Sequence, residues 1–173
     1  MFLLLSIFAI AIVLGVVLAW NSRQVWVASP AAVVAVSTHC NSVDGLPDPI
    51  CTPGAVDPRV TQDNIATTIC VRGYTKTVRP PAGYTNDLKV HQIAEYGYAG
   101  TNLADYEEDH LIPLELGGHP TDPKNLWPQP RSGHHPASQK DQVENSLHSK
   151  VCAGAMTLAA AQAAIAANWP SVS

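Results

Sequence analysis

Charge is scarce in this 173-residue chain: Asp, Glu, Lys and Arg make up 14% of it, against about a quarter in an average soluble domain. The scarcity is uneven, since Phe2 to Trp20 (FLLLSIFAIAIVLGVVLAW) carries no charge and Arg23 is the one charged residue before Cys40. Aromatics are few at 6%, and the net charge is −4, which excludes a protein that coats nucleic acid by a general positive field. No CxxC pair occurs, so zinc ribbons and fingers are excluded. No glycine-rich phosphate loop, dinucleotide fingerprint or GxSxG elbow is present, which argues against nucleotide triphosphate use and serine-hydrolase chemistry. No internal repeat suggests a solenoid.

What is there begins with the apolar run. Residues 2–20 approach the roughly 20 residues that cross a bilayer, and read as an export signal. Small residues at Val17-Leu18-Ala19 permit cleavage. The length of the run, and the lack of Lys or Arg ahead of it, fit an uncleaved membrane anchor equally well. Arg23 alone favours retention of the following chain inside. Four cysteines, Cys40, Cys51, Cys70 and Cys152, argue for the outside, because an even number in an exported chain reads as two disulfides. Of the three connectivities we expect Cys40 with Cys51 and Cys70 with Cys152; buried free thiols in a cytosolic protein are the alternative. Localisation is thus expected to be exported, either secreted or membrane-anchored through residues 2–20.

Residues 21–39 read as a linker, and 40–173 as one domain. The stretch 44–58 (DGLPDPICTPGAVDP) is dense in turn formers and is expected to be a loop pinned by Cys51. A short helix is expected within Thr61–Cys70, and a strand over ICVRGYTKTV, ended by Pro80-Pro81. Thr85 or Asn86 should cap a helix running to about Tyr96, with Leu88, Ile93 and Tyr96 on its apolar side. Val143, Leu147 and Val151 recur every fourth residue and predict a helix over about 137–151. Thr157 should cap a last Ala-rich helix ending near Trp169-Pro170.

The segment YEEDHLIPLELGGHPTDPKNLWPQP, residues 106–130, concentrates the chemistry. Phosphodiester cleavage needs a water nucleophile, a base near neutral pKa and positive charge at the phosphoryl oxygens. Histidine supplies the base, and a hard cation held by one or two protein oxygens supplies the charge. Adjacent strand residues point to opposite faces, so Asp109 and His110 serve one site only if the strand ends or twists there. The apolar LIPL and the Gly117-Gly118 turn make such an ending reasonable.

This segment resembles the HNH (ββα-metal) nuclease motif. Asp109-His110, Pro113, Gly117-Gly118 and Asn125-Leu126, followed by a helix, agree with it in order and spacing over roughly a quarter of the chain. The resemblance implies that Asp109 binds the metal and that His110 activates the water. Asn125 stands where the family's central Asn either ligates the metal or orients the catalytic His. The family's last His, in a CHxxK segment, is missing; RSGHHPASQK stands there. Glu144, then His148, then His135 are candidates for the third ligand, and Lys140 or Arg131 for stabilising phosphate charge. Arg72, Lys76, Arg79 and Lys89 form a basic cluster, of which Arg72, Lys76 and Arg79, with Arg131, are candidate nucleic-acid contacts. Each has a plainer reading: a strand-end hydrogen bond, a turn, or a solvated helix face.

The expectation is an α+β fold with a ββα-metal unit over 106–151, additional helices and disulfide-pinned N-terminal loops. The expected activity is hydrolysis of phosphodiester bonds in DNA, or RNA, with low sequence specificity. The expected cofactor is a divalent cation, Mg²⁺ first, with Mn²⁺, Zn²⁺ or Ni²⁺ as alternatives. The rival is a non-catalytic extracellular or envelope binding module on the same scaffold.

Overall fold

In the computed structural model, residues 39–172 are described, and they fall within one compact unit, 36–173. The expected signal or anchor at 1–20 and the linker at 21–39, save His39, lie outside the described residues. Among those described, no helix is long and apolar enough to cross a membrane.

The architecture is mixed: helices around one small antiparallel sheet. Helix α1 (Tyr74–Val78) and helix α2 (Ala82–Glu95) precede strand β1 (Tyr106–His110). Strand β2 (Leu126–Pro130) follows, then α3 (Ala137–Cys152) and α4 (Leu158–Asn168). β1 pairs with β2 from Tyr106 opposite Pro130 to His110 opposite Leu126. Two prolines in a five-residue strand call for a reason. Leu111 N–H donates to Asn125 O and Arg131 N–H to Asp105 O, so the ladder bonds fall on odd-numbered pairs. Pro128 and Pro130 sit at pairs where no strand N–H is used, so their missing donors leave no gap.

Side chains from α2 take up carbonyls that the ladder leaves over: Gln92 Nε2 donates to Leu126 O at 2.8 Å, and Lys89 Nζ to Tyr106 O at 3.3 Å. Trp127, Leu116, Leu147, Val151, Ile165 and Trp169 form the centre of the core. α3 runs as expected, with Leu147 and Val151 fully buried. α4 opens at Thr157, whose side chain accepts from Ala160 N–H.

Both expected disulfides form. Cys40–Cys51 pins the 44–58 loop, and Cys70–Cys152, 82 residues apart, ties the turns ahead of α1 to the end of α3. Two disulfides indicate an oxidising, extracytoplasmic setting.

The expected strand over 69–78 is absent. Residues 74–78 are helical, after Gly73 in a left-handed conformation (φ 86°). Strand propensity is realised only against a neighbouring strand, and among the described residues none pairs with this segment. Val71 N–H instead donates to Thr68 O and Tyr74 N–H to Val71 O, closing turns beside the tethered Cys70. The helix expected in Thr61–Cys70 is a six-residue 3₁₀ turn, Gln62–Thr67. α2 starts at Ala82 rather than beyond Thr85, because Pro81 at its N-cap gives up no hydrogen bond there.

Candidate active site

Strand alternation sorts the five residues of β1. Glu107 and Asp109 face α3, whereas Glu108 lies towards α2, where its charge interacts with Lys89 and Tyr84. β1 ends at His110, and the connection to β2 folds back over that end. The turn at 117–118 allows this. Gly117 has φ 71°, and a Cβ on Gly118 would lie 1.7 Å from Ile112 O, a distance that only glycine tolerates.

Asn125 is the crosslink of this connection. Its Oδ1 accepts from Ile112 N–H at 2.9 Å and Ala55 N–H at 3.2 Å. Its Nδ2 donates to Ile112 O at 2.9 Å and His119 O at 3.1 Å. The amide is fully buried and fully used, so of the two roles left open for it, the geometry is that of holding the loop. Beside it, Pro120 O lies 2.9 Å from His110 Nε2. A carbonyl can only accept, so Nε2 carries the proton and Nδ1 has the lone pair. Burial lowers the His110 pKa, Arg79 and Lys140 push it the same way, and the Pro120 bond and Asp109 oppose. The ring is therefore neutral near pH 7, in the tautomer a base requires.

The other half of the site comes from α3. Lys140 and Glu144, one turn apart, meet Asp109 on the face of the sheet that α3 covers. Lys140 is fully buried. Its Nζ donates to His110 O at 2.7 Å and to Glu144 Oε1, lies 2.8 Å from Asp109 Oδ2, and stands 5.3 Å from the centre of the Trp127 ring. Burial works to lower its pKa, but Asp109 and Glu144 overcome that and hold it above the ordinary value. Glu144 is pushed up, by burial first and by Asp109, against the pull of Lys140. Around this triad Glu107, Glu115 and Asp141 are all raised, each chiefly by burial; Asp109 adds to the effect at Glu107 and Asp141. Glu108, on the opposite face, is raised to about 8 by burial, and neither of its oxygens has a hydrogen-bond partner.

The donor set is of the all-oxygen kind that a hard divalent cation takes, with the Lys140 ammonium seated within it. It consists of carboxylate oxygens in excess of the cations that face them, and buried Asp109 Oδ2 receives no aligned hydrogen bond even though Lys140 lies within ion-pair distance. Asp109 and Glu144 are the residues that would hold such an ion. Lys140 stands among the same oxygens.

His148 is not part of this set. Its Nε2 is 2.9 Å from Ile69 O and 3.4 Å from Cys152 Sγ. Cys70, His148 and Cys152 place their ligand atoms within 4.8 Å of one another, a spacing that could hold a metal ion. With the two sulfurs bonded to each other, the imidazole is the only strong donor of the three, because thiolates are the ligands metals take. His135 pairs with Gln139 and packs edge-on to Trp169. Of the basic residues, Lys89 is buried on α2, and Arg131 is ion-paired with Glu107 at 2.8 Å. Arg72, Lys76 and Arg79 are exposed. Arg79 acts on His110 and Glu115, and Arg72 lines a cavity of about 340 Å³ that reaches Glu115 and His148.

Comparison of the chain with protein-family models, curated proteins and solved structures finds no match. Sequence reasoning missed Glu107, Glu115 and Asp141 around the triad. Glu107 was accessible to it, because a residue two before Asp109 on a strand shares its face. The Pro120 carbonyl left no trace in the sequence, since a backbone acceptor can be supplied by any residue.

Proposed function

We propose that this protein is a metal-dependent endonuclease of the HNH kind, hydrolysing phosphodiester bonds of DNA with low sequence specificity. One observation carries the reading. In the strand–strand–helix order of β1, β2 and α3, a tautomer-fixed neutral imidazole, His110, ends β1 within electrostatic reach of Asp109 and Lys140, and α3 brings Glu144 to the same ammonium.

In this reading His110 Nδ1 takes the proton from the attacking water, while the Pro120 carbonyl keeps the ring oriented. Asn125 holds the loop that presents that carbonyl. Asp109 and Glu144 hold the divalent cation, which when bound supplies Lewis-acid stabilisation of the phosphoryl oxygens. Mg²⁺ or Mn²⁺ is favoured by the all-oxygen donors. Arg79, and Arg72 further along the rim, offset the charge of the bound nucleic acid. No residue of the sequence stands out as a base-reading contact, which accords with low specificity.

Lys140 favours a second reading. An ammonium seated between Asp109 and Glu144 can be the stabilising centre of a non-catalytic binding module on the same scaffold. Nicking of supercoiled plasmid by the full-length chain separates the two, run beside His110→Ala and with Mg²⁺, Mn²⁺ or EDTA. Metal-dependent nicking should fall about a hundredfold or more in the variant, the scale of a lost general base. Folded wild-type protein that cleaves neither DNA nor RNA with any metal would remove the enzyme reading.

A further inference from the structure

A single ammonium occupies the focus of the proposed cation site. Lys140 Nζ is in contact with Asp109 Oδ2, Glu144 Oε1 and His110 O together, and its side chain is 1% exposed. Those oxygens converge on one point, in the way donors surround a bound ion, and the lysine comes from the helix that also provides Glu144. This set of contacts compensates the ammonium, with hydrogen bonds to His110 O and Glu144 Oε1 and the Asp109 carboxylate at ion-pair distance, which is why a charge can be buried here at all. It does not satisfy Asp109, whose Oδ2 is left without an aligned hydrogen bond.

Two cations cannot share this space. A divalent ion on Asp109 and Glu144 at ordinary oxygen-ligand distances of about 2.0–2.6 Å would meet an ammonium already 2.8 Å from one of the same oxygens. At such separations the repulsion between them in a low-dielectric interior is severe.

We propose that Lys140 is the built-in occupant of the cation position and is exchanged for the divalent ion: metal binding expels Nζ from the Asp109–Glu144 seat, and loss of metal lets it return. The inference rests on the metal-dependent reading above and adds to it a competitor encoded in the chain. With the lysine seated, the unliganded site is neutralised, so its carboxylates are not left facing one another. The same competition weakens metal binding, since apparent affinity scales with the fraction of molecules whose site is open.

The test follows the lysine itself. Full-length protein is acylated with an amine-reactive ester, with and without saturating Mn²⁺, and each lysine is quantified by mass spectrometry. Without metal, Lys140 should react far more slowly than exposed Lys76 and Lys124. With Mn²⁺ its rate should rise at least about tenfold, the reciprocal of the usual upper population of a minor conformer, while buried Lys89 stays unchanged. In parallel, Mn²⁺ binding is read by electron paramagnetic resonance on wild type, Lys140→Met and Arg79→Gln. Lys140→Met should bind at least about tenfold more tightly, and Arg79→Gln, which removes the same charge nearby, much less so. The labelling needs no variant, so it decides the matter even where Lys140→Met does not fold. Mn²⁺ that binds while Lys140 labelling stays flat overturns the exchange and leaves the nuclease reading intact. No Mn²⁺ binding by folded wild type or Lys140→Met overturns the exchange together with metal dependence. Plasmid nicking that continues in EDTA would then show that hydrolysis survives without the metal.

Discussion

Replacement of Asn125 by Ala probes the link between fold and site. The amide makes four hydrogen bonds to backbone groups of Ala55, Ile112 and His119, all from a fully buried position. Each bond contributes about 1 kcal/mol net, and each buried partner left unpaired costs about 1–3 kcal/mol. Water entering the vacated space offsets part of that, so the expected loss is about 4 kcal/mol, a large fraction of the roughly 5–15 kcal/mol of a typical domain. Urea unfolding at constant m measures it. With m of about 2 kcal/mol/M, the midpoint should fall by about 2 M. Asn125→Asp sharpens the argument, because the carboxylate keeps the acceptor but turns a second oxygen towards the Ile112 and His119 carbonyls. It should be at least as destabilising near neutral pH and should recover in acid, where a protonated carboxyl can donate. A loss below about 1 kcal/mol for both variants, on the scale of an ordinary surface substitution, would refute the crosslink. The loop also carries Pro120, so any folded Asn125 variant should lose nicking activity beyond its loss of stability.

Three further outcomes follow from the same geometry. The His110 pKa lies below its ordinary value of 6.5, so the acid half-point of the nicking rate should fall below 6.5; a half-point above 6.5 would mean the ring is not the buried neutral base described here. The 82-residue Cys70–Cys152 loop restricts the unfolded chain by about 4–5 kcal/mol and the 11-residue Cys40–Cys51 loop by about 3 kcal/mol in the chain-entropy model, so calorimetry should show the double Cys→Ser change at 70 and 152 lowering Tm more, and equal losses would contradict the entropic account. Glu108 is raised to about 8 in the folded state, so the folded chain holds a proton that the unfolded chain loses near pH 4.5. Its contribution to stability is complete below that point and disappears as pH rises through about 8; Glu108→Gln should flatten this slope in urea titrations from pH 5 to 9, and an unchanged slope would place the titration elsewhere.

The amino-acid sequence by itself determined the parts governed by local periodicity and composition. The four-residue recurrence of Val143, Leu147 and Val151 marked α3, Thr157 marked the cap of α4, and four cysteines spaced over the chain pointed to the two disulfides that form. The same four-residue spacing placed Lys140, Glu144 and His148 on another face of that helix, and the Asp109-His110 pair directly ahead of an apolar turn drew attention to the site. Local pattern failed over 69–78, because β-branched residues form a strand only where another strand stands beside them, and that is decided elsewhere in the chain. Tertiary structure alone decided that His148 turns towards Ile69 and the disulfide, that Lys89 is buried beneath α2, and that Asn125 exhausts its amide on the loop. It also decided that the ammonium of Lys140 lies between two carboxylates drawn from β1 and α3. Spacing along a helix fixes which residues share a face, but only the packing of that face against a distant strand sets which charges meet.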